Sequence, residues 1–282
     1  MKFLRIGDQG RERPALLDDD GVLRDLSAFV ADIDPVTIGN GALAGLVDLA
    51  PSALPAIDPG VRIAPCVGRV GKFIGVGLNY ADHASEMNLA SADPVFFLKA
   101  NSSIAGPNDA VELPRGSQHT DWEVELGIVI GRRGRYIDAN NALDHVFGYC
   151  VVNDITERRY QLDHPIPQWS RGKSCDGFGP IGPWLVTRDE VPDYGALELW
   201  LEVNGERHQH CRANRMVRGI AELIAHLSNF MTLEPGDVIA TGSPAGAGQA
   251  LQPEPRFLKP GDTMVLGITG LGEQRQEVLA AS

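Results

Sequence analysis

The sequence is short of the features that mark several large protein classes. Its 282 residues include only four cysteines, Cys66, Cys150, Cys175 and Cys211, and no two are spaced as CxxC. Zinc-ribbon and thioredoxin-like motifs are therefore excluded, and so few thiols in so long a chain are expected to be reduced. No apolar run approaches the roughly 20 residues of a membrane-spanning helix. The opening Met1-Lys2-Phe3-Leu4-Arg5 soon meets Asp8 and Asp18-Asp19-Asp20, with no apolar signal-peptide core. The expectation is a soluble, cytoplasmic protein with no membrane partner. Positive charge is scarce too: 25 Lys+Arg stand against 37 Asp+Glu, a formal net charge of −12. Nucleic-acid binding needs clustered Lys and Arg, so that class is set aside. The seven histidines show no HxxxH or related zinc spacing. There is no repeat of solenoid period and no low-complexity segment.

What is present reads as a folded, strand-rich chain. Hydrophobic residues make up 43% and charged residues 22%, ordinary values for a globular protein. The 32 glycines and 19 prolines point to many short elements with frequent turns rather than to a helix bundle. Residues 1–65 read as a small leading domain, with strands at 3–6 and 14–17. A linker at 48–65 carries Pro51, Pro55, Pro59 and Pro65. Residues 70–282 read as the larger domain. Strands are expected at 72–77, 94–99, 122–130 and 147–153, and at 197–203 before an Asn204-Gly205 hairpin turn. The clearest helix spans 215–231, capped by Asn214, with Met216, Val217, Ile220, Leu223, Ile224, Leu227 and Phe230 at helical spacing.

The sharpest local signal is Asp121-Trp122-Glu123-Val124-Glu125-Leu126-Gly127-Ile128. Side chains alternate along a strand, so Glu123 and Glu125 share one face and Trp122, Val124, Leu126 and Ile128 the other. Two carboxylates this close repel, and burial worsens the repulsion. A divalent cation relieves it; an edge strand with a solvated acidic face fits the same pattern. A third carboxylate, Asp154, closes the apolar run Phe147-Gly148-Tyr149-Cys150-Val151-Val152-Asn153. Three carboxylates make an oxygen-rich site suited to Mg²⁺ or Mn²⁺. His83 and Glu86 are spaced i, i+3, which on a helix places them on one face. A carboxylate-oriented imidazole suits a general base, and an ordinary surface pair has the same spacing.

Five blocks in order resemble the fumarylacetoacetate hydrolase family. They are Gly77-Leu78-Asn79-Tyr80-Ala81-Asp82-His83-Ala84-Ser85-Glu86, Phe97-Leu98-Lys99, Asp121-Trp122-Glu123-Val124-Glu125-Leu126, Val152-Asn153-Asp154 and Thr241-Gly242-Ser243-Pro244. Further stretches, such as Gly179-Pro180-Ile181-Gly182-Pro183-Trp184 and Gly270-Leu271-Gly272-Glu273, look like the branch of 2,4-diketo-3-deoxy-sugar-acid hydrolases. The resemblance implies a β-rich α+β fold with a small N-terminal domain, a homodimer, and Mg²⁺ or Mn²⁺ on Glu123, Glu125 and Asp154. It implies a catalytic His83–Glu86 pair and Lys173 as the cation facing enolate or oxyanion charge. Arg158, Gln161, Lys99, Thr241 and Gly242 are implied as substrate-binding residues. The family's small residues are replaced here by Glu157 and Arg159, and its Thr by Ser243. The expected reaction is metal-dependent hydrolysis of the C3–C4 bond of a 2,4-diketo acid, a 2-oxo acid substrate, to pyruvate and a hydroxy acid. Oxaloacetate decarboxylation or tautomerisation, and ureidoglycolate cleavage, are the alternatives on the same metal site.

Overall fold

The computed structural model describes residues 1–82 and 94–282. The chain opens with an antiparallel meander, β1 (Lys2–Ile6), β2 (Arg13–Leu17) and β3 (Leu23–Asp25), followed by the short helix α1 (Pro35–Gly39). Asp34 caps that helix by accepting from the Val36 and Thr37 N–H groups. Then come β4 (Ile63–Ala64), β5 (Phe73–Gly77), β6 (Val95–Lys99), β7 (Ile104–Ala105), β8 (Val111–Glu112) and β9 (Thr120–Asp121). They are followed by β10 (Val124–Ile130), β11 (Val146–Asn153) and β12 (Thr156–Glu157). Two five-residue helices, α2 (Arg158–Leu162) and α3 (Trp169–Lys173), lead to β13 (Gly179–Thr187). The hairpin of β14 (Glu198–Val203) and β15 (Glu206–Arg212) turns at Asn204-Gly205, both with positive φ. Helix α4 (Ile220–Ser228), β16 (Val238–Ala240) and the hairpin of β17 (Thr263–Ile268) and β18 (Gly272–Leu279) complete the chain. The result is the β-rich α+β fold the sequence implies. Among the described residues no helix is long and apolar enough to cross a membrane.

The strands form two main sheets. Eleven belong to one, in the order β3-β2-β1-β13-β11-β10-β16-β5-β6, with β4 on β1 and β7 on β13. Five belong to the other, in the order β15-β14-β17-β18-β8. The leading region joins the large sheet, with Lys2 of β1 opposite Val186 of β13. The stretch expected as a linker also returns to it, Ala64 lying opposite Arg5.

Alternation along β10 divides the core. Val124, Leu126, Ile128 and Ile130 pack with Leu199, Leu201, Met264 and Leu266 of the five-stranded sheet. Val129 packs the opposite way, with Cys150, Val152, Phe3, Leu26 and Ile33. Strand β10 is interior, bonded to β11 and β16, so an exposed acidic edge is not what Glu123 and Glu125 occupy. The helix expected over 215–231 is shorter. Met216 bridges to Tyr80 and the Val217 N–H donates to Asn79 O at 2.7 Å, so this segment pairs instead of coiling. The helix starts after Gly219, whose N–H donates to Glu222 Oε2 at 3.1 Å; Asn214 is not its cap. Ile220, Leu223, Ile224 and Leu227 are buried as the stripe predicts, but Val217 and Phe230 are exposed.

Candidate active site

Four adjacent strands of the large sheet end at one place: the start of β10 and the ends of β11, β16 and β5. The expected single strand over 122–130 is broken there. Trp122 and Glu123 belong to neither β9 nor β10, and the N–H groups from Trp122 to Val124 leave the ladder, that of Trp122 going to Asp121 Oδ1 at 2.8 Å. Side chains take them up. The Glu123 N–H donates to Asn153 Oδ1 at 3.3 Å, and the Val124 N–H to Gln209 Oε1 at 2.9 Å. Asp154 N–H donates to Glu123 O at 2.9 Å, which fixes the end of β11 against the break. Buried backbone donors need such partners, so Asn153 and Gln209 hold the geometry of both glutamates.

Glu123, Glu125 and Asp154 converge. One carboxylate oxygen from each lies within 4.8 Å of the others, and all three residues are buried. Lys173 Nζ donates to Glu123 Oε2 and, at 2.7 Å, to Asp154 Oδ2. Lys99 Nζ donates to Asp154 Oδ1 at 2.6 Å. Arg158 Nη2 donates to Glu123 Oε1 at 2.7 Å, and its Nη1 to Gln161 Oε1 at 3.1 Å. Glu125 has no such cation: its one hydrogen bond among the described residues comes from the Gly242 N–H, at 2.7 Å to Oε2. Burial, with the charges of Asp154 and Glu123 beside it, pushes the Glu125 carboxyl well above the usual range. Burial lowers Lys99, against the pull of Asp154. Burial also opposes the charged form of Lys173, but Asp154 and Glu123 outweigh it and raise that group. Among the described residues, counting Asp121, paired with Arg158, four buried carboxylates face three buried cations. One negative charge is left over. Oxygen-only donors at this spacing, with one carboxylate unneutralised, fit a hard divalent cation.

The turn after β16 is built around Glu125. Gly242 has φ of 102°, and a Cβ there would lie 2.8 Å from Asn79 Cβ, so only glycine brings its amide to the carboxylate. The Thr241 N–H and Oγ1 both donate to Leu126 O, at 3.1 and 2.9 Å. Asn79 Nδ2 donates to Thr241 O at 2.8 Å and ties the turn to the segment after β5. In this structure these Thr241 and Gly242 donors face protein acceptors. Beside the charged cluster, Val76, Leu78, Leu162 and Trp169 form an apolar wall, with Gln161 and Ser243 as neutral polar groups. The Gln161 amide NH₂ has no partner among the described residues. Lys173 and Trp169 lie four residues apart on α3, which brings both to the pocket. His83 and Glu86 lie outside the described residues.

Sequence reasoning gave no role to Asp121, Asn153, Gln209 or Trp169. Their local sequence carries no signal of these roles; only in the fold does Gln209 stand out, as the one fully buried residue of β15.

The fold and this constellation define a metal-dependent enzyme class, and the relatives agree. The family described as fumarylacetoacetate (FAA) hydrolase, C-terminal, matches residues 72–279. The chain belongs to the fumarylacetoacetate hydrolase family. A Burkholderia ambifaria protein named "Putative hydrolase" is 54% identical over 98% of both chains. Among solved structures, fumarylacetoacetate hydrolase from Exiguobacterium antarcticum is 38% identical over 99% of both chains, with a TM-score of 0.88. Maleylpyruvate hydrolase from Sphingobium sp. SYK-6, solved with manganese(II) and pyruvate, is 30% identical over the full length of both, with a TM-score of 0.83.

Proposed function

We propose that the protein is a metal-dependent hydrolase that cleaves the C3–C4 bond of a 2,4-diketo acid, of the 2,4-diketo-3-deoxy sugar-acid type, to pyruvate and a hydroxy acid. The observation that carries this reading is the buried triad Glu123–Glu125–Asp154 with Lys173 bonded to two of its members. The pyruvate and manganese(II) held by the maleylpyruvate hydrolase structure support it.

Glu123, Glu125 and Asp154 hold the cation, Mg²⁺ or Mn²⁺. When bound, the ion supplies Lewis acidity and a template for a 2-oxo carboxylate. Arg158 and Gln161 orient the substrate, the Gln161 NH₂ being available to an acceptor. His83, oriented by Glu86, takes a proton from water, and the hydroxide oxygen bonds to C4. The C3–C4 bond then breaks and its electron pair stays on C3 as the pyruvate enolate. The Lys173 ammonium faces that charge. A proton returned to C3 gives pyruvate, and C4 leaves as the carboxyl carbon of the second product. Lys99, with its side chain inaccessible and on Asp154, holds that ligand in place. The Gly242 amide holds Glu125, and Thr241 fixes that turn on Leu126 O. The active form in this reading is a homodimer.

The test is product analysis with purified protein and Mn²⁺ on a 2,4-diketo-3-deoxy acid, acetylpyruvate, oxaloacetate and ureidoglycolate. Pyruvate with an equimolar carboxylic acid is expected from the diketo acid, and its loss in His83→Ala with Mn²⁺ binding kept. Turnover confined to CO₂ release from oxaloacetate would overturn the reading.

A further inference from the structure

We propose that Asp121 is a positioning residue: it fixes the Arg158 guanidinium in the orientation that steadies Glu123 for the cation and leaves Gln161 turned to the substrate. The inference rests on the metal-site reading above.

Asp121 stands two residues before Glu123 and is fully buried, yet it is no member of the carboxylate triad. Its two oxygens are fully used. Oδ1 accepts from the Trp122 N–H at 2.8 Å and the Gly248 N–H at 2.7 Å. Oδ2 accepts from Arg158 Nε at 2.8 Å and the Gln249 N–H at 3.1 Å, with Arg158 Nη2 also 2.8 Å away. Three elements distant in sequence, β9, α2 and the turn at 248–249, are thereby tied to one carboxylate. The turn is fitted to it, since a Cβ on Gly248 would lie 2.8 Å from Asp121 Oδ1.

Arg158 is the only member of this network that touches the site. A guanidinium is a planar fork, so fixing one edge fixes the direction of the rest. With Nε and Nη2 both at 2.8 Å from Asp121 Oδ2, Nη2 also reaches Glu123 Oε1 at 2.7 Å and Nη1 points to Gln161 Oε1. The last contact leaves the Gln161 NH₂ as its outward group. Asp121 also balances the charge of Arg158. Without it, the guanidinium would turn its whole charge on Glu123 and compete with the cation for that carboxylate. Arg158 is buried, so solvent does little to screen this competition.

A purely structural Asp121 would tie the turn at 248–249 to β9 and lower stability when changed, with the folded site unaltered. The two roles separate in Mn²⁺ binding without substrate, measured by calorimetry. Asp121→Asn keeps an acceptor for Gly248 but sets an NH₂ against Arg158 Nε. Its Mn²⁺ affinity is expected to fall by on the order of tenfold to a hundredfold, and KM for the 2-oxo acid to rise more than kcat falls. In an Arg158→Gln background the same change should add little, because its effect runs through Arg158. Arg158→Lys, which leaves the bonds from Asp121 to the turn untouched, should reproduce the loss of Mn²⁺ affinity and carries the test if Asp121→Asn does not fold. Equal effects of Asp121→Asn with and without Arg158 would overturn the proposal, as would unchanged Mn²⁺ affinity in folded Asp121→Asn or Arg158→Lys. A wild-type protein that binds no Mn²⁺ would overturn the metal reading and this inference together.

Discussion

Strand β16 has a buried carboxylate problem at each end, and the chain solves them differently. At its start Asp237 is inaccessible and alone. Its Oδ1 accepts from the Lys72 N–H at 2.9 Å, and its Oδ2 from the Glu234 N–H and Lys72 Nζ, both at 2.7 Å. Burial raises that carboxyl, and Lys72 pulls it back. One acid meets one cation and two backbone donors. At the other end Glu123, Glu125 and Asp154 crowd together, and among the described residues Glu125 has a single amide donor. Burial is common to both ends. What distinguishes the site is a surplus of like charge that the described residues do not neutralise. Such a surplus costs stability in the metal-free protein and is retained where a cation uses it.

The comparison predicts opposite responses to neutralising one carboxyl. Glu125→Gln keeps an acceptor for the Gly242 amide but removes a ligand. Mn²⁺ affinity should fall by on the order of a hundredfold or more, with turnover falling alongside. At a pH high enough to ionise Glu125, the metal-free protein should become more stable, by about 1 kcal/mol, because a like charge is removed from the cluster. Calorimetric titration and denaturant unfolding without metal check both halves. A metal-free Glu125→Gln protein less stable than wild type at that pH would break the comparison. Asp237→Asn should do the reverse. Its amide NH₂ must face an N–H donor, so stability should drop by about 1–3 kcal/mol, while Mn²⁺ affinity in the folded fraction stays within about twofold. A large loss of Mn²⁺ affinity in that variant would show that the two ends are not independent.

The parts of this contrast visible in the sequence are those carried by local pattern. Alternation around Glu123 and Glu125 gave the shared face, because β10 is a regular strand once past Glu123. Asp154 was placed because it ends an apolar run. The break at Trp122–Glu123 was not visible, because what permits it is remote. Asn153 and Gln209 stand 30 and 85 residues beyond the N–H groups they accept from. No periodicity encodes a side chain that replaces a ladder partner across that separation. The helix over 215–231 shrank for a related reason. Its apolar spacing is genuine, but the Asn79–Tyr80 segment claims Met216 and Val217 first. The turn at Thr241–Gly242 was found by motif and its direction was not, since its amide points to a carboxylate on a neighbouring strand.

The smallest expected effect concerns a group beside the cluster. If surplus negative charge marks the site end, a neutral acid there should resist forming a further anion. Cys175 follows α3 by two residues, near Glu157, whose carboxylate accepts from Thr120 Oγ1 at 2.9 Å and from Ser117 Oγ. Burial, then the Glu157 charge, pushes the Cys175 thiol up to about 11. The raised value favours the protonated form, so at pH 8 only about one thiol in a thousand is thiolate, and the thiolate is what alkylates. Iodoacetamide labelling of the Cys175 peptide, followed by mass spectrometry, should therefore be slow at pH 8. It should rise about tenfold per pH unit until it levels near 11. Glu157→Gln should move that midpoint down, because one of the opposing charges is gone, although burial keeps it above the free thiol. A midpoint near the ordinary thiol value in the native protein would mean that solvent reaches this flank of the site. The charge surplus would then be confined to the three carboxylates themselves.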